Sequence, residues 1–121
     1  MNIVKTNKNL VSKGNCICFI CQGAGSNGYS NYFSIDTIQS TSNVLGYNEH
    51  LTENIGTFIV AVSDLERFKW SFGRGRSPKL ANETILLPAD NNGNPDWQFM
   101  EEYMKSIKIR ENNRLYKLFL D

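Results

Sequence analysis

The stretch that most constrains the fold is GNCICFICQ, residues 14–22, an apolar run bounded by glycines. A short continuous apolar segment closed off by turn residues reads as a strand covered on both faces, so it predicts a central strand. It breaks into Gly23-Ala24-Gly25-Ser26-Asn27-Gly28, a loop rich in small residues. In a strand, Cys16 and Cys18 share one face and Cys21 takes the other. Three thiols in one window, with no secretory signal ahead of them, argue against a disulfide framework. A zinc site needs four converging ligands, and the only histidine, His50, is distant in sequence. Buried, apolar cysteines are the expectation, with no metal and no cofactor. A Cys–His nucleophile pair fails for want of a third, orienting group.

Further elements follow from pattern. Tyr29, Asn31 and Phe33 against Ser30, Tyr32 and Ser34 predict another strand, and residues 35–44 continue with Thr and Ser interleaved. Asn48 to Asn54 reads as a turn or short helix. IGTFIVAV, residues 55–62, suits either a buried strand or a helix start, and the Asp64-Leu65-Glu66-Arg67 that follows favours helix over 58–67. Ile85-Leu86-Leu87-Pro88 predicts a short strand, and Asn92-Gly93 a turn. Asp96 stands where a helix N-cap belongs. Behind it Phe99, Met100, Tyr103, Met104 and Ile107 recur at helical spacing, while Leu115, Leu118 and Phe119 extend or dock that helix and Asn112-Asn113 weakens its continuity. The sum is one α+β domain with a mixed, partly antiparallel sheet and a C-terminal amphipathic helix. It divides into an N-terminal segment (1–13), a strand-rich core (14–94) and the helix (95–121).

Charge raises a separate question. The chain carries 13 Lys and Arg against 12 Asp and Glu, a net of +1, so any nucleic-acid role must come from local clustering. Residues 68–80, FKWSFGRGRSPKL, supply it. Phe68, Trp70 and Phe72 alternate as on a half-buried strand. Gly73, Gly75 and Pro78 then end that strand in a loop bearing Arg74, Arg76 and Lys79. No apolar run reaches the roughly 18 residues of a membrane span, and MNIVKTNKNLVSKGN lacks the apolar segment of a signal peptide, so the expected compartment is the cytoplasm. Catalytic motifs are missing: there is no P-loop, no HExxH and no Gly-x-Ser-x-Gly. GAGSNG matches G-x-G-x-x-G in spacing, yet a strand-like YSNYFS follows where a dinucleotide fold needs a helix.

Three stretches together resemble the target-recognition domain of type I restriction–modification specificity subunits and related type II enzymes. Phe68-Lys69-Trp70-Ser71-Phe72-Gly73-Arg74 is similar to that family's aromatic-Lys-aromatic-Ser-aromatic-Gly-Arg signature. Ile85-Leu86-Leu87-Pro88, then Asn92-Gly93, then Pro95-Asp96-Trp97 leading to Met100, Glu101 and Tyr103, resembles its Leu-Pro, acidic-Gly turn and Asp-Trp helix start. Gly23 to Gly28 before Tyr29 and Phe33 resembles, more loosely, its Gly-Ser-x-Gly loop ahead of an aromatic strand. The likeness covers about residues 14–107 and the C-terminal part of the family domain.

The resemblance implies a non-catalytic module that reads double-stranded DNA and guides a methyltransferase or nuclease subunit. Arg74, Arg76 and Lys79 would meet phosphates or a guanine edge, Ser26 and Asn27 would reach phosphate or a base edge from the other loop, and the aromatics would support them. The rival expectation is a small phage- or mobile-element-encoded protein that binds and inhibits a nucleic-acid-targeting defence enzyme. It would dock through the 74–79 loop or the helix face of Tyr103 and Ile107.

Overall fold

A computed structural model of the chain describes residues 2–6, 10–20, 29–39, 43–65 and 85–120, with side chains to 115. In chain order its elements are β1 (Asn2–Lys5), β2 (Val11–Ser12), β3 (Cys16–Ile20), β4 (Ser30–Phe33), β5 (Thr37–Ile38), β6 (Asn43–Tyr47), α1 (Glu53–Leu65) and α2 (Trp97–Leu120). The fold is α+β, as the sequence predicts. A four-stranded sheet runs β1-β6-β3-β4, and β2 pairs with β5 in a second, two-stranded sheet. Every pairing among the described strands is antiparallel. The N-terminal segment contributes β1 to the sheet, set apart from residue 14 onward by pattern but paired with β6 in the fold.

β3 is covered on both sides, as its unbroken apolar sequence requires. Ile17 and Phe19 face α1 and α2, where they join Val44, Leu51, Ile55, Ile59 and Met100 in one buried cluster. Cys16 and Cys18 face the other way and pack with Leu45, Phe33 and Tyr47. Burying each of the large apolar side chains contributes about 1.5–3 kcal/mol, so the helix side holds most of the stability. Both cysteines are buried, filling space as small apolar groups.

A polar corner sets the start of β3. Asn15 adopts a left-handed φ of 51°, a conformation that Asn tolerates better than most residues. Its carboxamide accepts a hydrogen bond from the Tyr32 hydroxyl at 2.5 Å and donates one to the Leu51 carbonyl at 3.1 Å. The Gly14 N–H donates to Asp36 at 2.7 Å, and a β-carbon on Gly14 would stand 2.5 Å from the Ile35 carbonyl carbon. The Tyr47 hydroxyl donates to the Lys13 carbonyl at 2.7 Å. Three consecutive residues are thus tied to β4, β6 and the approach to α1.

Helix α1 begins at Glu53, earlier than the 58 expected, because Thr52 caps it: its hydroxyl accepts from the Ile55 N–H at 3.1 Å and donates to Glu101 of α2 at 3.1 Å. The strand alternative for 55–62 is thereby settled in favour of helix. Ile85–Pro88 joins no strand. Ile85 and Leu87 pack on the core and Leu86 is 90% exposed, an alternation with no ladder beside it; the bridge found there is Ala89 with Pro95. The Asn92-Gly93 turn forms, with Gly93 at φ 80° and the Asp90 carboxylate accepting from the Asn92 and Asn94 N–H groups. Asp96 caps α2, accepting from the Phe99 N–H at 2.9 Å. α2 then runs unbroken through Asn112-Asn113, two residues whose helix propensity is poor but does not terminate a helix.

Gly56 shows how tightly α1 sits on the sheet. A β-carbon there would fall within 3.0 Å of Cγ, Cδ2 and Cε2 of Tyr32. Glycine to alanine inside a helix ordinarily gains about 1 kcal/mol. Here the steric cost dominates, so Gly56→Ala should lower stability by about 1–3 kcal/mol in urea denaturation.

Candidate nucleic-acid interface

The register of the four-stranded sheet defines one end clearly. Lys5, Val44, Phe19 and Ser30 lie in a row across β1, β6, β3 and β4. One residue further, the Thr6 hydroxyl donates to the Asn43 carbonyl at 3.1 Å, Asn43 pairs with Ile20, and the Ile20 N–H donates to the Tyr29 carbonyl at 2.9 Å. The end of α1 is tied to the same place: the Asp64 carboxylate accepts from both the N–H and the hydroxyl of Ser30, each at 3.0 Å. Ser30 is buried, so Asp64 is its means of satisfying two donors.

Thr6, Ile20, Tyr29, Asn43 and Leu65 are described residues at or next to this end, and each borders one of the segments 7–9, 21–28, 40–42 and 66–84. Ser26, Asn27, Arg74, Arg76 and Lys79 lie in those segments, outside the described residues, as do Cys21 and the expected strand of Phe68, Trp70 and Phe72. By sequence the four segments hold Lys8, Arg67, Lys69, Arg74, Arg76 and Lys79 against Glu66 and Glu83, while the whole chain nets +1. By sequence, six of the chain's 13 cations thus fall in these four segments, and the rest of the chain is net negative. Lys5 is exposed on β1, in the strand row at the described end. Sequence reasoning missed Lys5 because a four-residue edge strand with one apolar face leaves too little periodicity to be recognised.

Tyr103 and Ile107 are described, on α2. Tyr103 is 44% exposed. Its ring stacks on Phe99 at 5.9 Å and meets the edge of Phe58 of α1 at 5.8 Å. Ile107 is half-buried.

No protein-family model matches the chain, and no curated protein or solved structure matches it either. The likeness to restriction–modification recognition domains rests on the quoted motifs alone.

The thiol face offers packing and hydrogen bonds. Among the described residues no three His, Cys, Asp or Glu side chains come together as metal ligands. Cys18 donates to Gln39 at 3.6 Å. Burial pushes the Cys16 thiol up, against the pull of the Tyr47 hydroxyl beside it, which disfavours the nucleophilic thiolate. Burial, then the neighbouring Cys16 and Asp36, push Tyr47 up from its ordinary 10.0 to about 12.

Two expectations follow from these contacts. Asp64→Ala strands both Ser30 donors and should cost about 1–3 kcal/mol in chemical denaturation. For Tyr47, the unfolded chain releases its proton near 10.0 and the folded chain near 12. Stability present below the lower value is therefore lost as pH rises between the two. Tyr47→Phe should flatten that alkaline decline in urea midpoints measured across the window. A residual slope from Tyr32, also held up by burial and by Glu53, remains.

Proposed function

We propose that this chain is a non-catalytic DNA sequence-recognition module of restriction–modification type, working in the cytoplasm with a methyltransferase or nuclease partner. The observation that carries the reading is one of sequence: Arg74, Arg76 and Lys79 follow the aromatic run in one short stretch, and segments 7–9 and 66–84 together hold six cations against two carboxylates. Phosphate contacts supply affinity and scale with the number of cations that reach the duplex. A domain with net charge +1 gains such affinity only when its cations are polarised in this way. Arg74 and Arg76 are the residues suited to a guanine edge, since a planar guanidinium can bond O6 and N7 together. Ser26 and Asn27, flanked by glycines, suit close backbone approach to a phosphate. Among the described residues no helix is long and apolar enough to cross a membrane.

A second reading has its own observation. Phe99 and Tyr103 present a stacked aromatic surface, 48% and 44% exposed, of the kind that anchors protein interfaces. It favours an interaction protein that binds and inhibits a defence enzyme. A pull-down from lysate with and without nuclease treatment separates the two. A nuclease-resistant effector lost on Tyr103→Ala supports inhibition, whereas recovery of DNA or of a methyltransferase rejects it.

For the first reading, Arg74→Ala/Arg76→Ala should weaken duplex binding in fluorescence anisotropy. The log–log salt dependence should flatten by about one unit for each arginine that meets a phosphate. A base-specific arginine should instead cost about 1–3 kcal/mol on one sequence only. Binding unchanged in the double variant would sink the reading.

A further inference from the structure

The exposed end of α2 is strongly basic. From Lys105 to Leu115 it bears Lys105, Lys108, Arg110 and Arg114 against Glu111 alone. The other described residues carry Lys5 and Lys13 against eight Asp and Glu side chains. All four cations of the helix are exposed. A cationic arm thus projects from an acidic body, and it draws toward a polyanion that the body repels.

The cations are not scattered at random. At 3.6 residues per turn, Lys105 and Lys108 take one flank of the helix and Arg110 and Arg114 another, roughly 170° away. Between the flanks lie Ser106, Ile109 and Asn113, on the side opposite the buried Met100 and the half-buried Met104 and Ile107. All three are exposed, Ile109 at 60%. Glu111 sits on the inner side, 3.2 Å from Arg114. That pair is exposed and weak, so Arg114 can leave it for a stronger anion. Glu102, one turn before Ser106, continues the outer stripe with the opposite sign and marks where anion contact must stop.

This placement distinguishes between polyanions. A helix lying on an anionic membrane needs one continuous apolar face, whereas Ile109 and Leu115, the exposed apolar residues of this stretch, stand about 120° apart around the axis. A duplex groove has phosphates along both walls and base edges on its floor, and the major groove admits an α-helix. We propose that residues 105–115 of α2 lie in the major groove of double-stranded DNA. Lys105 and Lys108 meet the phosphates of one strand and Arg110 and Arg114 those of the other. Asn113 and Ile109 face the floor, where a carboxamide suits N6 and N7 of adenine and an apolar side chain the thymine methyl. The stretch is about 16 Å long at 1.5 Å per residue, enough to follow about five base pairs. The ligand is that of the reading above, but the residues are different, so either can fail alone.

The test titrates the full chain into a fluorescein-labelled duplex of mixed sequence over a range of salt concentrations. Wild type is compared with Lys105→Gln/Lys108→Gln, Arg110→Gln/Arg114→Gln and Arg74→Ala/Arg76→Ala. Glutamine has nearly the helix propensity of Lys and Arg, and circular dichroism verifies that helix content is kept. Each α2 pair should flatten the log–log salt slope by about two units. In the Arg74→Ala/Arg76→Ala background, guanine N7, which opens into the major groove, should stay protected from dimethyl sulfate, and adding either α2 pair should remove that protection. Affinity and slope unchanged in both α2 variants overturn the proposal, and if Arg74→Ala/Arg76→Ala then abolishes binding, the loop reading stands without it. Loss confined to the α2 variants has the reverse meaning. A flattened slope with no N7 protection puts the helix outside the groove and also overturns the proposal, as does a wild type that binds phosphatidylserine vesicles but no duplex.

Discussion

Everything else in this domain depends on β3 being buried from both sides. Ile17 and Phe19 need the helices, and Cys16 and Cys18 need Leu45, Phe33 and Tyr47. A single strand therefore fixes where α1, β4 and β6 must lie. Its entry is fastened by Lys13, Gly14 and Asn15, each bonded to a different part of the chain. The small second sheet is then the local consequence of bringing Val11 and Ser12 back beside Ile38 and Thr37.

The helix side is organised by one close approach. With glycine at 56, the Tyr32 ring can lie flat against α1 while its hydroxyl reaches Asn15. Ring packing and hydrogen bond cooperate, since the same side chain positions helix against sheet and secures the left-handed corner. Thr52 extends the connection by capping α1 and bonding to Glu101 of α2. The three layers are thus joined by few polar contacts, each at the margin of an apolar cluster.

Much of this is legible in the sequence where period and punctuation agree. The β3 run, the alternating strand through Asn31, the Asn92-Gly93 turn and the Asp96 cap each carry a local signal strong enough to act alone. Failures arise where tertiary packing decides. The start of α1 is hidden because Thr52 caps it across a sequence that also reads as a turn, and Ile55 to Val62 lacks a polar face when taken alone. Ile85–Pro88 has strand composition but borrows its burial from the helices instead of a neighbouring strand. β1 is too short to announce itself. The candidate site was legible only as a chemical composition, Gly-Arg-Gly-Arg beside aromatics, whereas the strand row that borders its segments required the register of the sheet.

That row of Thr6, Asn43, Ile20 and Tyr29 works as a hem. Inside it, almost any change disturbs a packed neighbour. Exposed positions off this row and off the two buried clusters can change without reopening the core. A domain arranged in this way separates the part that must stay constant to fold from the part free to diversify. Change can then accumulate at exposed positions, leaving the Ile17 cluster untouched.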